Sequence, residues 1–227
     1  MFIRDGLLAG LVVSLALSAC DAPMITLPDV GGPSQPKLSG LQGGVHRVPP
    51  RDLVPIVRRE ALRYGLEPEA VLGLIAQESA FNAKAVSTAG ALGLMQQMPE
   101  TVADLNTSGA GMRDPFNAAQ NIAGGCLYLR QLHDSLADVN PRYRWAYTLA
   151  AYNGGIGRLR RAMKVKGGQQ ATYATVAPLL PQETQGYVPA VLRYQSQYAT
   201  MFKAAAAPAP RPTTQARRTK APARPKA

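Results

Sequence analysis

Hydrophobic residues in the middle of the chain recur every three or four positions, as they do on one face of a helix. No stretch keeps the strict apolar–polar alternation of a half-exposed strand for more than a few residues. Pro68 and Pro99 suit the first turns of helices, and Gly154 follows a helix end. The pattern therefore predicts an all-α domain over residues 49–203. Its helices are expected to begin after Asp52, at Pro68, at Pro99, after Asp114-Pro115, at 142, near Ile156 and at 183, with a break at Pro189.

The two ends of the chain lack this pattern. Residues 1–20 hold an apolar run that is too short to span a bilayer comfortably and has the length of a signal-peptide core. A buried N-terminal helix is the competing interpretation, and the absence of amphipathic spacing argues against it. Residues 21–48, with Pro, Gly and Ser, predict a flexible tether. Residues 204–227 form a basic Ala/Pro-rich tail that cannot build a core and is expected to be disordered.

The charge of the chain is strongly positive and unevenly distributed. The 227 residues carry a net charge of +11, and the tail holds six basic residues and no acid. Such a balance favours an anionic partner, which could be nucleic acid, a membrane surface or an anionic polymer. Because the middle part lacks interleaved aromatic and basic residues, no specific nucleic-acid partner is expected.

Cysteine and histidine usage argues against thiol or metal chemistry. Cys126 lies at helical spacing with Ile122 and Leu129, which favours a small core residue over a catalytic thiol. Neither of the two histidines lies near a recognisable thiol motif. No His/Cys/Asp cluster has ligand spacing, so neither a metal nor another cofactor is expected.

One carboxylate stands out because it ends the most apolar helical run. Ile75, Leu74 and Val71 lie three, four and seven residues before Glu78 and share its helical face. A carboxylate on a core face is costly unless it is paired, protonated or open to a cavity. Spacing alone leaves open whether Glu78 instead frays into solvent. The Gly- and Ser-containing loop that follows favours a buried, partly desolvated acid, whose raised pKa suits a general acid.

The end of the apolar leader carries a first resemblance. Leu17-Ser18-Ala19-Cys20 resembles the lipobox of bacterial lipoproteins. The resemblance implies cleavage before Cys20, lipidation of Cys20 and a location on the periplasmic face of a bacterial membrane. A simple secreted protein cut near Ala19 is the alternative, and Asp5 beside Arg4 is a small departure from the usual leader.

Ordered motifs carry a second resemblance, to lytic transglycosylases of the soluble-transglycosylase (goose-type lysozyme-like) family. It covers roughly residues 50–200, and Ala83 and Gln97 are its visible departures. The matching residues are Glu78-Ser79, Ser87, Gly90-Ala91, the run from Gly93 to Pro99, Ala151-Tyr152-Asn153 and Glu183-Thr184-Gln185-Gly186-Tyr187-Val188.

This resemblance implies a lysozyme-like helical domain that cleaves the β-1,4 bond between N-acetylmuramic acid and N-acetylglucosamine in peptidoglycan glycan strands. The family closes the muramoyl ring into a 1,6-anhydro product and adds no water. The match places the acid, and afterwards the base, on Glu78. A single carboxyl suffices because the nucleophile is a hydroxyl of the substrate, unlike in glycosidases with paired carboxylates.

The same match implies a substrate-binding set around this acid. Its members are Ser87, Gln96, Met98, Tyr152, Asn153 and Glu183. Ser87 and Gln96 can bond acetamido or hydroxyl groups, and Met98 can pack on a sugar face. Core roles remain open for Met98 and Tyr152, and Glu183 can instead cap the last helix.

Two other functions remain possible at this stage. A hydrolytic lysozyme would use the same acid with water, and a non-catalytic peptidoglycan-binding module would keep the fold without needing the acid. We expect a monomer that is anchored to the membrane through lipid, with the tail binding anionic lipid or wall polymer.

Overall fold

The computed structural model of the protein describes residues 47–206. The predicted signal peptide with Cys20, the tether up to residue 46 and the tail from residue 207 lie outside the described residues. The helices are α1 Leu53–Arg63, α2 Pro68–Ser79, α3 Pro99–Thr107, α4 Ala118–Ser135, α5 Pro141–Gly154, α6 Ile156–Val165, α7 Tyr173–Val176 and α8 Gln182–Ala206, with 3₁₀ turns at Gly168–Gln170 and Ala177–Leu179.

The all-α prediction is confirmed, since residues 47–206 contain helices, turns and isolated bridges but no strand. None of these helices is long and apolar enough to cross a bilayer.

Two helix starts differ in detail from the prediction. Asp52 occupies the N-cap position of α1, yet its carboxylate makes no capping bond. The α4 helix begins later than predicted, because Asp114 bonds the Phe116 N–H in a turn while Asn117 caps the helix by accepting from the Gln120 N–H.

The predicted break at Pro189 is wrong, because α8 runs through it. Proline leaves the carbonyl of the residue four positions earlier, here Gln185, without its helical partner. Both Pro189 and Gln185 are exposed, so this carbonyl can bond water and the helix continues.

Helix α2 is the centre of the core. Every residue from Ala70 to Ala76 is buried, and the helix packs mainly against α8. At the crossing, a side chain on Gly73 would come within 2.9 Å of the Val191 carbonyl oxygen and the Gln195 N–H nitrogen of α8. Glycine therefore sets how closely the two helices approach. Burying α2 on all sides also carries its last turn, with Glu78, into the interior.

The segment between α2 and α3 is irregular but ordered. Isolated antiparallel bridges join Val86 to Leu92 and Leu92 to Gln97. The Gly93 N–H bonds the Ala85 carbonyl oxygen at 2.9 Å, which folds residues 85–97 back on themselves. We call residues 80–98 the site loop.

Candidate active site

Glu78 lies in the last turn of α2 and is only 7 % exposed. This settles the alternative that the sequence left open, since the side chain does not fray into solvent. Its partner comes from the far end of the chain: the Tyr187 hydroxyl, on the buried face of α8, donates to Glu78 Oε1 at 2.6 Å. The packing of α2 on α8 therefore brings together two residues that are 109 positions apart.

The protonation of Glu78 follows from this environment. Burial disfavours the charged form and raises the pKa of Glu78 to about 8. The hydrogen bond from Tyr187 acts in the opposite direction, and the negative charge of Glu183 raises the pKa further. A carboxyl with this pKa keeps its proton at neutral pH, as a general acid must.

The backbone beside Glu78 is strained. Ala80, Phe81 and Gln96 have positive φ values of 52°, 67° and 45°, and they are the non-glycine residues with positive φ in the described part of the chain. Such conformations cost free energy in residues with a Cβ and cluster at functional sites. All three lie in the site loop, which therefore needs other contacts to hold it.

Two hydroxyls fasten the site loop to the helices. Ser79 Oγ donates to the Leu94 carbonyl oxygen at 2.8 Å, and Tyr152 Oη of α5 donates to the Met95 carbonyl oxygen at 2.8 Å. Tyr152 is half-buried, and burial raises its pKa well above its ordinary value, so it stays a hydroxyl donor. The loop is thus fixed to α2 and α5 on either side of Glu78.

Asn121 of α4 holds the same loop from behind. Its fully buried amide accepts from the Met95 N–H at 2.8 Å and donates to the carbonyl oxygens of Leu92 and Pro115. A side chain on Gly93 would lie 2.3 Å from the Pro115 carbonyl oxygen and 2.5 Å from Asn121 Nδ2. The glycine before Leu94 is therefore needed for the close contact between the loop and α4.

A polar cluster joins the end of α5 to the start of α8. Thr184 Oγ1 donates to Asn153 Oδ1 at 2.6 Å, and Asn153 Nδ2 donates to Glu183 Oε1 at 3.4 Å. Glu183 is half-buried in the first turn of α8. The charge of Glu183 raises the pKa of Glu78, so the packing of α8 on α2 brings two carboxyls that are 105 positions apart within electrostatic range.

The structure places Glu78 on α2, Tyr152 and Asn153 on α5, and Glu183 on α8, which packs against both other helices. It places Ser87, Gln96 and Met98 on the site loop, where Ser87 and Met98 are partly exposed. Gln96 is buried, and its Nε2 donates to the carbonyl oxygens of Gly93 and Ala85. The amide nitrogen of Gln96 is thus engaged in the loop itself.

Residues that sequence reasoning did not assign are Tyr187, Ser79, Asn121 and Thr184. Tyr187 and Thr184 lie inside the last quoted motif, and Ser79 directly follows Glu78, so the motifs already contained them. For Asn121 the available signal was an amide next to Ile122 in an apolar helix, three positions before a glycine pair.

The described residues also include a cysteine, candidate metal ligands and a second groove. Cys126 is fully buried, and burial raises the pKa of its thiol, as the core interpretation requires. Within residues 47–206, no group of three or more His, Cys, Asp or Glu side chains could hold a metal ion. A groove beside Trp145, between α2, α4, α5 and α8, contains none of the predicted site residues.

An all-helical domain that holds the buried, protonatable Glu78 beside a strained loop is typical of the lysozyme-like class of folds. The family model described as "Transglycosylase SLT domain" matches residues 55–174, more than half of the chain. The chain therefore belongs to this family.

Curated relatives share this domain over part of their length. The chain is 41% identical over 115 residues to the membrane-bound lytic murein transglycosylase C of Actinobacillus pleuropneumoniae serotype 5b (strain L20), covering 47% of this chain and 32% of the relative. It is 35% identical over 119 residues to the protein of the same name from Haemophilus influenzae (strain PittGG), covering 49% and 33%. The matched region thus spans about a third of these relatives.

Solved structures of lytic transglycosylases have a similar fold. The fold is similar to that of the 70-kDa soluble lytic transglycosylase of Escherichia coli, with a TM-score of 0.57, 28% identity and coverage of 65% of this chain and 24% of that one. An inactive mutant of the lytic transglycosylase Slt from Pseudomonas aeruginosa gives a TM-score of 0.57 at 29% identity, covering 66% and 24%. A complex of the 70-kDa enzyme with bulgecin A gives a TM-score of 0.58 at 27% identity, covering 65% and 24%.

Proposed function

We propose that this protein is a peptidoglycan lytic transglycosylase, with Glu78 as its acid and then its base. It cleaves the β-1,4 bond between N-acetylmuramic acid and N-acetylglucosamine and leaves a 1,6-anhydromuramoyl end. The observation that carries the proposal is the buried Glu78 carboxyl, whose pKa is raised to about 8. The family of the chain and the names of its relatives support the substrate class.

In the first step the Glu78 carboxyl donates its proton to the glycosidic oxygen while the bond from that oxygen to muramoyl C1 breaks. The N-acetylglucosamine side leaves with a free 4-hydroxyl. The positive charge at C1 is shared with the substrate acetamido group, and Glu78 is now a carboxylate. In the second step the C6 hydroxyl attacks C1 and its proton passes to Glu78, which returns the acid to its starting state with no water consumed.

The surroundings of Glu78 support each protonation state in turn. Burial favours the neutral acid before the first step, and the Tyr187 hydroxyl stabilises the carboxylate that forms in it. We assign to Glu183, which accepts a hydrogen bond from Asn153, the orientation of substrate hydroxyl or acetamido groups. Ser87 and Met98 contribute partly exposed side chains from the site loop to the same binding role.

Two rivals make different predictions. A hydrolytic lysozyme would give reducing muramic ends, and a binding module would give no cleavage at all. Mass analysis of purified peptidoglycan after digestion separates them, because anhydro products are lighter than hydrolysis products by one water. We expect anhydromuropeptides, and exclusively reducing ends would overturn the proposal in favour of the lysozyme.

We further propose that Cys20 carries a lipid anchor that holds the enzyme on the periplasmic face of a membrane. Cys20 lies outside the described residues, and support comes from the lipobox-like leader and from relatives named as membrane-bound. Cys20→Ala is expected to shift the protein from the membrane to the soluble fraction. A Cys20→Ala protein that stays with the membrane would show that the lipid is not the anchor.

A further inference from the structure

The net positive charge of the domain comes from one segment. Residues 139–182 hold seven basic residues and no acidic one, whereas the rest of residues 47–203 holds ten basic and eleven acidic ones. The domain outside this segment is therefore close to neutral. Five of the seven cations follow one another on and just after α6: Arg158, Arg160, Arg161, Lys164 and Lys166. We call these five residues the α6 ridge.

The α6 ridge lies on the outer face of an amphipathic helix. Its inner face buries Leu159, Ala162 and Met163 in the core. On the outer face, Lys164 lies one turn from Arg160 and Arg161, the spacing at which side chains of a helix are neighbours. Like charges at this spacing repel one another, although Lys164 and Lys166 lie at the C-terminal end of the helix, where its dipole favours cations. An anionic ligand would relieve the repulsion along the whole ridge.

Part of the ridge is open to such a ligand. Arg160 pairs with Asp138 at 3.4 Å and also donates to the Ser135 carbonyl oxygen. Lys164 and Lys166 are exposed, and no ion pair to either is found among the described side chains. The distal end of the ridge therefore offers two exposed ammonium groups next to the Arg160–Asp138 pair.

The ridge begins where the candidate site ends. Helix α6 starts two residues after Gly154, and Arg158 Nη1 donates to the Gly154 carbonyl oxygen at 3.5 Å. Asn153, the neighbour of Gly154, bonds Glu183 in the site. From there the ten residues of α6 extend about 15 Å along the helix axis. A ligand that fills the site and leaves it beside Asn153 would run along the ridge.

We propose that the α6 ridge binds the carboxylates of the peptide stems attached to the glycan strand in the site. This inference rests on the proposed function and adds to it a subsite for the peptide part of the substrate. An extended peptide of four or five residues spans about 13–18 Å, which is comparable with the length of α6. A membrane surface is the other anionic partner to consider, and the continuity of the ridge with the site favours the substrate.

The test compares binding of two soluble ligands: uncrosslinked glycan strands that carry their stems, and the same strands after an amidase has removed the stems. The parent protein carries Glu78→Gln, so binding is measured without turnover. Lys164→Glu/Lys166→Glu reverses the two exposed charges. Arg51→Glu/Arg58→Glu is the matched control. Arg51 precedes α1 and Arg58 lies on it, both are exposed, and the double substitution changes the net charge by the same amount.

We expect the ridge variant to bind stem-bearing strands about fivefold or more weakly at low salt, and stem-free strands within about twofold of the parent. High salt should reduce the difference, because exposed charges are screened. The control variant should bind both ligands within about twofold of the parent.

Vesicles containing anionic phosphatidylglycerol serve as a third ligand for the same proteins. Three outcomes would overturn the inference: no loss for stem-bearing strands, an equal loss for both strands, or a loss confined to the vesicles. The last result would identify the membrane as the partner. If the parent binds neither strand, the proposed function itself fails and the inference falls with it. If the parent binds and the ridge variant matches it, the ridge inference alone fails.

Discussion

The site has a helical side and a loop side, and they are held by different forces. On the helical side, Glu78, Tyr152 and Tyr187 stand on α2, α5 and α8, helices that bury their apolar faces in one core. On the loop side, residues 80–98 form irregular turns, which hydrogen bonds with the side chains of Ser79, Tyr152 and Asn121 hold in place.

The difference assigns different work to the two sides. The helical side sets the pKa of Glu78, mainly through burial and the hydrogen bond from Tyr187. The loop side determines the positions of the partly exposed Ser87 and Met98, the binding groups that we propose. Substitutions on the helical side should therefore change turnover and its pH dependence, whereas substitutions in the loop should act first on stability and substrate affinity.

The largest effect is expected from Glu78→Gln. The substitution keeps the shape of the side chain and an acceptor for the Tyr187 hydroxyl, but it removes the transferable proton. Cleavage of purified peptidoglycan should fall by about 10²-fold or more, the range of positioned acid–base groups. Turnover at the wild-type rate in a folded Glu78→Gln protein would remove Glu78 from the mechanism.

On the loop side, Gly93→Ala should have the largest effect on stability. Gly93 has a φ of 75°, and a methyl group there would lie 2.3 Å from the Pro115 carbonyl oxygen. We expect a loss of about 3 kcal/mol or more in the free energy of unfolding, since the chain must shift to relieve the overlap. Urea denaturation followed by circular dichroism measures it.

Gly109→Ala is the matched control for this loss. Gly109 has a similar φ of 84°, but a methyl group there meets nothing within 4 Å. It isolates the conformational penalty of a left-handed alanine, about 1–2 kcal/mol. Equal losses for the two variants would show that contact with α4 does not hold the loop.

On the helical side, in contrast to Gly93→Ala, a substitution should raise the free energy of unfolding. Burial raises the pKa of Glu78 from 4.5 to about 8, so the folded state binds the proton more tightly than the unfolded state. The resulting stability is fully present below pH 4.5 and is lost as pH rises through 8. Glu78→Gln lacks this loss and should be more stable than the wild type by up to about 3 kcal/mol at pH 7, at 1.36 kcal/mol per pKa unit.

Thermal unfolding of both proteins at several pH values tests this expectation. The melting temperatures should converge near pH 4 and separate as the pH rises. A difference that does not change with pH would mean that Glu78 is not the group whose burial destabilises the fold.

The helical side and the loop side also differ in how much of them the local sequence predicts. Helix periodicity predicted α2 and placed Glu78 on its core face, because burial of a helix is visible in its spacing. The same spacing could not decide between burial and fraying, since that depends on α8 covering the last turn. The electrostatic effect of Glu183 on Glu78 likewise depends on the packing of α8 on α2 and has no local signature.

The helix ends show the limit of local signals. Asp114-Pro115 is a good start signal, but the chain uses Asn117 as the cap, because the Pro115 carbonyl oxygen is taken by Asn121. Pro189 does not end α8, and the carbonyl that it leaves without a helical partner belongs to the exposed Gln185, where water can bond it. The loop-side roles of Ser79 and Asn121 depend on which carbonyls the fold brings near them.

The sharpest test of the helical side is Tyr187→Phe, although its effect should be the smallest of these. The Tyr187 hydroxyl donates to Glu78 at 2.6 Å and favours the carboxylate, so it holds the pKa of Glu78 below the value that burial alone would give. Without it, the pKa should rise above about 8, and the loss of activity at high pH should move to still higher pH. The rate at pH 7 should fall by about tenfold, since the carboxylate formed in the first step loses a charge-assisted bond.

Tyr147→Phe supplies the control, because it deletes the same atom from another buried tyrosine. The Tyr147 hydroxyl donates to the Ala171 carbonyl oxygen at 2.8 Å, and no contact joins it to Glu78 among the described hydrogen bonds. Both variants should lose about 1 kcal/mol of stability, typical of one hydrogen bond, but only Tyr187→Phe should move the pH–rate profile. A profile that moves to lower pH in Tyr187→Phe, or that moves equally in both variants, would mean that the hydroxyl does not stabilise the ionised form of Glu78. The pKa of Glu78 would then be set by burial and the charge of Glu183, without a contribution from the Tyr187 hydrogen bond.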